Sequence, residues 1–284
     1  MNYLDSIRGI SEEQDNDLHI VMGKPGSGKT TYVGTYPKPM LVITVGDDGG
    51  AVVLKHYGDE QVKFINITSD DPKEDGIHVG EKLKGIINEL LNTNHGFKTI
   101  AIDAYSSVQE EIVEYLGAIK GKRLNQEEWG DIGKYLLGIR DDLVTLSRKP
   151  NISAVVPIVH IKTTEDTDNA SGETNLQVIP KLTVNNGRLL LERANTVVYC
   201  SRRVVLSEDE KDKKVQFLTY IGAHPNIDTK LRTDGKVLDS GLYIENATYE
   251  KLENIRATGK VDGENKLKVK ETSISKDEED DRNW

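Results

Sequence analysis

The chain has 284 residues and 36% hydrophobic content, enough for one large domain or two small ones, and no apolar run approaches the ~20 residues of a bilayer-spanning helix. A formal charge of −10 argues against a general polyanion binder, because affinity for phosphate backbones comes from clustered Lys and Arg; a local basic groove is still compatible with it. One cysteine excludes a disulfide within the chain, and the six histidines do not cluster at metal-ligand spacings.

Residues 1–17 read as a polar leader, with acidic residues where a secretory signal needs an apolar stretch, so a cytoplasmic location is expected. "DLHIVM" then reads as a short buried strand. It runs into Gly23, Lys24, Pro25, Gly26, Ser27, Gly28, Lys29 and Thr30, which fit G-x-x-x-x-G-K-[ST] at every position. In such a loop the glycines let successive backbone N–H groups turn inward around a phosphate, and the following helix adds its positive end. Lys29 is expected to neutralise the β- and γ-phosphates of ATP, Thr30 to hold Mg²⁺, and Thr31 to complete the nucleotide contacts. Pro37 and Pro39 end that helix near Tyr36.

"MLVITV", Met40 to Val45, is a second buried strand leading into "GDDGG", and "VKFINI", Val62 to Ile67, is a third. "VGEKLKGIINELLN" has helical spacing. "KTIAID", Lys98 to Asp103, is an apolar strand that delivers a carboxylate at its C-terminal end, making Asp103 the candidate to hold magnesium through a water. Ala104 follows, where many AAA+ motors and helicases carry a glutamate base. The base must then come from elsewhere, and Asp47 or Asp48 can supply it, because strand C-termini in an open parallel sheet converge on the ligand crevice. By composition "GDDGG" is also readable as a plain polar turn.

Lys120, Lys122 and Arg123 form a compact basic cluster, readable either as a phosphate contact for nucleic acid or as a solvated charge run. The following "NQEEWGDIGKYLLGIRDDLVTLSR" is a long amphipathic helix whose Trp129 is readable as a stacking surface for a base or partner, with packing into the core as the expected role. "NISAVVPIVHIK" is another core strand, ending at His160. A polar residue there commonly senses the γ-phosphate in P-loop ATPases, and a histidine can equally sit satisfied at the domain surface. "IKTTEDTDNASGETNLQV" is expected to be a flexible acidic loop. "ANTVVYCSRRVVL" and "KVQFLTYIGAH" form a β-hairpin across "SEDEKDKK", with Cys200 as a small buried hydrophobe. Lys230 and Arg232 lie two apart beyond the hairpin, with a loop salt bridge as the simpler reading. Residues 256–284, ending in "DEEDDRNW", lack the apolar content to pack and read as a disordered charged tail.

The order of P-loop, "DDGG" strand, "IAID", Trp-containing helix, "VPIVH" and a late "KLR" resembles the phage AAA-domain nucleotide-binding proteins with a RecA-like core. Among these it looks most like the Sak-type recombination ATPases, which act with a single-stranded-DNA-binding protein to anneal strands. The resemblance covers roughly Leu18 to Ile255. It implies one RecA-like α/β P-loop NTPase domain over 18–255, with a mainly parallel sheet flanked by helices and a C-terminal β-hairpin extension. It also implies Lys29, Thr30 and Asp103 for nucleotide and magnesium, Asp48 as base and His160 as sensor. The loop carrying Lys120, Lys122 and Arg123 would face DNA, and Lys230 with Arg232 would reach a neighbouring subunit's nucleotide. Asp48 stands where the family carries Glu, and the shorter arm sets the carboxylate up to ~1.5 Å back.

The expected function is therefore Mg-ATP binding and slow hydrolysis by a homo-oligomer on single-stranded DNA, in phage recombination or replication inside a bacterial host. A single-stranded-DNA-binding protein is a further expected partner, and no membrane is involved. A ring-type DNA motor, of helicase or packaging type, and a nucleotide-dependent regulatory or scaffold protein with little turnover are the alternatives.

Overall fold

Continuous apolar strands, whose successive side chains point to opposite faces, build two cores, one on each face of the main sheet. In the computed structural model, residues 17–46, 49–74, 76–167, 174–206, 213–224, 226–233 and 238–261 are described. The strands are β1 (His19–Met22), β2 (Met40–Val45), β3 (Val62–Ile67), β4 (Thr99–Asp103), β5 (Ala154–Val159), β6 (Ile161–Thr167), β7 (Thr174–Pro180), β8 (Thr196–Leu206), β9 (Lys213–Tyr220), β10 (Lys230–Leu231) and β11 (Tyr243–Glu245). The helices are α1 (Lys29–Val33), α2 (Val79–Asn92), α3 (Tyr105–Lys120), α4 (Gln126–Ser147), α5 (Val184–Arg193) and α6 (Tyr249–Thr258), with a 3₁₀ segment over Gly49–Tyr57.

The main sheet runs β11-β9-β8-β1-β5-β4-β2-β3, with β10 pairing β8. From β8 to β3 all neighbours are parallel, whereas β9, β10 and β11 join antiparallel. This is the expected α/β architecture with a hairpin extension, and β5 lies between the P-loop strand β1 and the Asp103 strand β4. Ile100 and Ile102 of β4 pack with α2, α3, α4 and α5 on one face, whereas Ala101 packs with Tyr32, Val33, Leu54 and Leu252 on the other. Both faces of β4 are buried, which is why the strand reads as a continuous apolar run. Truncating Ile102 to Ala would cost about 2–5 kcal/mol, because a packed interior collapses only partly around a lost side chain.

Three expectations change. The stretch predicted as a flexible acidic loop forms the paired strands β6 and β7, in register from Ile161↔Pro180 to Thr167↔Thr174, with residues 168–173 outside the described set. Trp129 is 38% exposed in the first turn of α4, where the helix is fixed by an Asn125–Glu128 capping box rather than by a buried aromatic. The boundary expected at residue 256 falls inside α6, which runs to Thr258. Residues 262–284 and most of the leader lie outside the described residues. Among the described residues no helix is long and apolar enough to cross a membrane.

Arg256 closes the fold. Its Nη2 donates to His19 Nε2 at 3.0 Å and to Thr196 Oγ1 at 2.8 Å, while Nη1 lies 3.6 Å from Asp17 and 3.3 Å from Glu253. A guanidinium has donors only, so His19 Nε2 must accept; Nδ1 then carries the proton and faces Tyr36 Oη at 3.2 Å. This neutral histidine is fully buried, and burial, reinforced by the Arg256 charge, pushes its imidazole down to about 3. The unfolded chain takes up the proton near the ordinary value of about 6.5 and the folded chain does not, so stability falls as pH drops from there toward 3. In His19→Gln the acid-side slope should lessen, by up to about 1.4 kcal/mol per pH unit, in denaturant titrations across that range. An unchanged slope would mean that other groups set the acid limb.

Candidate nucleotide-binding site

The P-loop leaves β1 at Met22 and returns as α1, and its shape is forced by neighbours. A Cβ at Gly23 would sit 2.4 Å from the Cys200 carbonyl oxygen of β8, so only glycine lets these two backbones approach. Gly28, the residue before α1, has φ of 86°, a left-handed conformation that side chains resist. Cys200 itself is buried, and burial pushes its thiol up to about 12, in keeping with a small packing residue rather than a reactive one.

Lys29 is 6% exposed, and its Nζ donates to the carbonyls of Gly23 and Lys24, both at 2.9 Å. The loop therefore holds its own cation in place. Thr30 Oγ1 donates to Asp103 Oδ2 at 2.8 Å, and Asp103 is 3% exposed at the end of β4. A cleft of about 240 Å³ opens over these groups, lined by Pro25, Gly26, Gly28, Lys29, Thr30, Thr31, Gly50, Val53, Asp103 and His160. The first turn of a helix has N–H groups without intrahelical partners, and in α1 that turn faces this cleft. A buried ammonium, amides and a hydroxyl–carboxylate pair meet there, a set suited to a polyphosphate with a hard cation. Thr30 and Asp103 supply two oxygen donors, the sparse protein share that Mg²⁺ accepts when phosphates and water complete its shell. Among the described residues no three His, Cys, Asp or Glu gather as a self-sufficient metal cage.

His160 lines the cleft as its place at the end of β5 implies, and its backbone N–H donates to Ser106 Oγ at 3.1 Å, tying it to the first turn after Asp103. Asp47 and Asp48 lie outside the described residues. Their neighbours bracket the site: Thr44 of β2 is in register with Asp103, and Gly50 lines the cleft. Lys230 and Arg232 lie elsewhere. β10 pairs with Thr196 and Val197 at the start of β8, opposite the start of β1 and roughly 10 Å of strand from the P-loop end. Lys230 Nζ donates to the carbonyls of Leu191 at 3.2 Å and Glu192 at 3.3 Å, capping α5. Burial and the nearby Arg232 lower its pKa. In the basic cluster, Lys120 is ion-paired with Glu128, leaving Lys122 and Arg123 as exposed neighbours.

Two residues near the loop escape a linear reading. Arg202 and Phe217 are cross-strand partners on β8 and β9. A Cβ at Gly26 would lie 3.4 Å from Arg202 Nη1, and one at Gly28 would lie 2.9 Å from the Phe217 ring. The hairpin thus covers one side of the P-loop with a cation and an aromatic ring.

A family model described as AAA domain matches residues 17–233. No curated protein matches the chain. Among solved structures, one similarity is to a prototypical ATPase from the type III secretion system of pathogenic bacteria, at 11% identity and a TM-score of 0.43, covering 68% of this chain and 51% of that one. Another is to the flagellar accessory protein FlaH from Methanocaldococcus jannaschii, at 10% identity and a TM-score of 0.35, covering 72% of this chain and 76% of that one. The chain thus spans about half the length of the first of these, 51%.

Thr30 and Asp103 should act as one unit toward magnesium. Thr30→Val and Asp103→Asn are each expected to raise the Mg²⁺ concentration for half-maximal ATP binding by about 10- to 100-fold. The double variant should lose less than the product of the two, because both groups serve the same ion. Strictly multiplicative losses in a Mg²⁺ titration would separate the two residues.

Proposed function

Because this chain belongs to the AAA-domain family, we propose that it binds Mg-ATP over the P-loop, hydrolyses it slowly, and assembles as a homo-oligomer on single-stranded DNA in phage recombination or replication. The observation that supports this reading best is the convergence of Lys29, Thr30 and Asp103 on one cleft.

In this reading the loop amides and Lys29 hold the β- and γ-phosphates in a fixed pose, which accounts for most of the catalysis available to phosphoryl transfer. Magnesium, when bound, offsets the charge that develops between the β- and γ-oxygens. Thr30 and Asp103 would hold it, directly and through water. Asp48, or its neighbour Asp47, would orient and deprotonate the attacking water, and His160 would contact the γ-phosphate. Lys230 and Arg232 lie at the far end of their own sheet, so a role at phosphate falls to them only across a subunit boundary. Such a contact would couple turnover to assembly. Lys122 and Arg123 would take DNA phosphates, with a single-stranded-DNA-binding protein as the companion that supplies coated strands.

One observation favours the second reading, a nucleotide-dependent regulatory protein with little turnover. Lys120 is ion-paired with Glu128, which thins the basic cluster in a chain of net charge −10.

ATP hydrolysis measured with and without single-stranded DNA, beside light scattering on the same samples, tests the proposal. Turnover should increase with DNA over the range of chain concentration in which scattering grows. Nucleotide binding with turnover and scattering both indifferent to DNA would favour the regulatory reading over the recombination one.

A further inference from the structure

Two arginines follow one another on β8 beside the P-loop, and their surroundings differ. Successive strand residues point to opposite faces, so Arg202 and Arg203 lie on opposite sides of the hairpin. Arg203 is fully engaged: its Nε donates to Gln216 Oε1 at 2.8 Å, its Nη2 to Glu245 Oε1 at 3.1 Å, and its guanidinium lies over the Tyr243 ring. Arg202 is exposed and takes part in no hydrogen bond or ion pair among the described residues.

Arg202 is nevertheless held in a particular place. A Cβ at Gly26 would meet its Nη1 at 3.4 Å and its Cζ at 3.9 Å, while Gly26 itself, with φ of 71°, forms part of the wall of the phosphate cleft. At this point the wall is bare backbone, and the guanidinium stands against it. Its cross-strand partner Phe217 abuts Gly28, which sets the height of the hairpin over the loop. A second cation set against a loop that already buries the Lys29 ammonium raises the positive potential there, and an anion in the cleft relieves it. A guanidinium also offers its N–H donors in a planar fork that matches two phosphate oxygens at once.

We propose that Arg202 is a phosphate-binding residue of this site, supplied by the chain's own β8–β9 hairpin: when nucleotide enters, the guanidinium turns over the bare crest at Gly26 and takes two oxygens of the polyphosphate. The proposal rests on the reading of the cleft as the triphosphate site. The contact considered for Lys230 and Arg232 needs a neighbouring subunit, whereas Arg202 lies against the loop of its own chain. Its contribution is therefore present without assembly.

The test is calorimetric titration of the full-length chain with Mg-ATP and, separately, with Mg-tripolyphosphate, in wild type, Arg202→Gln, Arg202→Lys and Arg203→Gln. Arg202→Gln should weaken binding of both compounds about 10- to 100-fold, the range of hydrogen bonds to a charged group. Arg202→Lys keeps the charge without the fork and should stay within about fivefold of wild type. Arg203→Gln loses an exposed ion pair on the other face and should change affinity by no more than about twofold. The gap between wild type and Arg202→Gln should narrow as salt rises from about 0.05 to 0.5 M, because salt screens an exposed charge contact. Unchanged binding of both compounds in Arg202→Gln would overturn the assignment. Arg202→Lys no better than Arg202→Gln, or a gap indifferent to salt, would overturn it too, since Arg202 would then act on loop shape alone. So would a loss in Arg203→Gln as large as that in Arg202→Gln. A wild-type chain that binds neither compound would overturn the triphosphate reading itself, and this assignment with it.

Discussion

The hydrogen bond from Thr30 Oγ1 to Asp103 Oδ2, 2.8 Å long, joins residues 73 positions apart and depends on the register of three strands. β1 reaches β4 only through β5: Val21 and Met22 pair with Ile158 and Val159, and Ile158 pairs with Asp103. A one-residue slip in either ladder would turn every strand residue to the opposite face, sending Asp103 away from the P-loop and apolar residues into the cleft. Burial prevents the slip, because both faces of β4 and β5 are packed. The site's geometry is therefore a consequence of core packing rather than of the loop alone. Lys29, held by its own loop's carbonyls, and His160, held through Ser106, depend on the same frame.

A second set of contacts fixes the outer side of the loop. Gly23 admits the Cys200 carbonyl, and Gly28 lies under Phe217, so β8 and β9 shape the P-loop from the flank opposite Asp103. The same β8 begins at Thr196, where Arg256 binds its hydroxyl and the neutral His19 of β1 together. One guanidinium from the last helix thus secures the far ends of the two strands whose near ends frame the loop. The antiparallel extension therefore flanks the P-loop, and α6 ties the far ends of β1 and β8 together.

Sequence patterning located what depends on neighbours along the chain. β2, β3 and α2 fall on the expected bounds, because β2 and β3 are short bounded runs rich in apolar and β-branched residues and α2 buries Val79, Leu83, Ile87 and Leu90 at helical spacing, signals that a single strand or helix carries on its own. The P-loop, Asp103 and His160 were legible for the same reason: each is tied to a strand end. β6 and β7 were not, since "IKTTEDT" has little apolar contrast between its faces and its pairing with Thr174–Pro180 is a tertiary fact. Arg256 read as part of a solvated tail because arginine is usually exposed; only the buried His19, which needs a donor, reveals its use. Phe217 and Arg202 were invisible at the loop, because their approach follows from hairpin register and not from spacing.

We propose that the buried Lys29 ammonium and the Thr30–Asp103 pair make one magnesium-nucleotide site. Calorimetric titration of Mg-ATP into the wild-type chain and Lys29→Ala, with circular dichroism confirming that both are folded, tests it most directly. Saturable binding of one nucleotide per chain is expected in the wild type and none in the folded variant. Wild-type affinity retained in Lys29→Ala would contradict it.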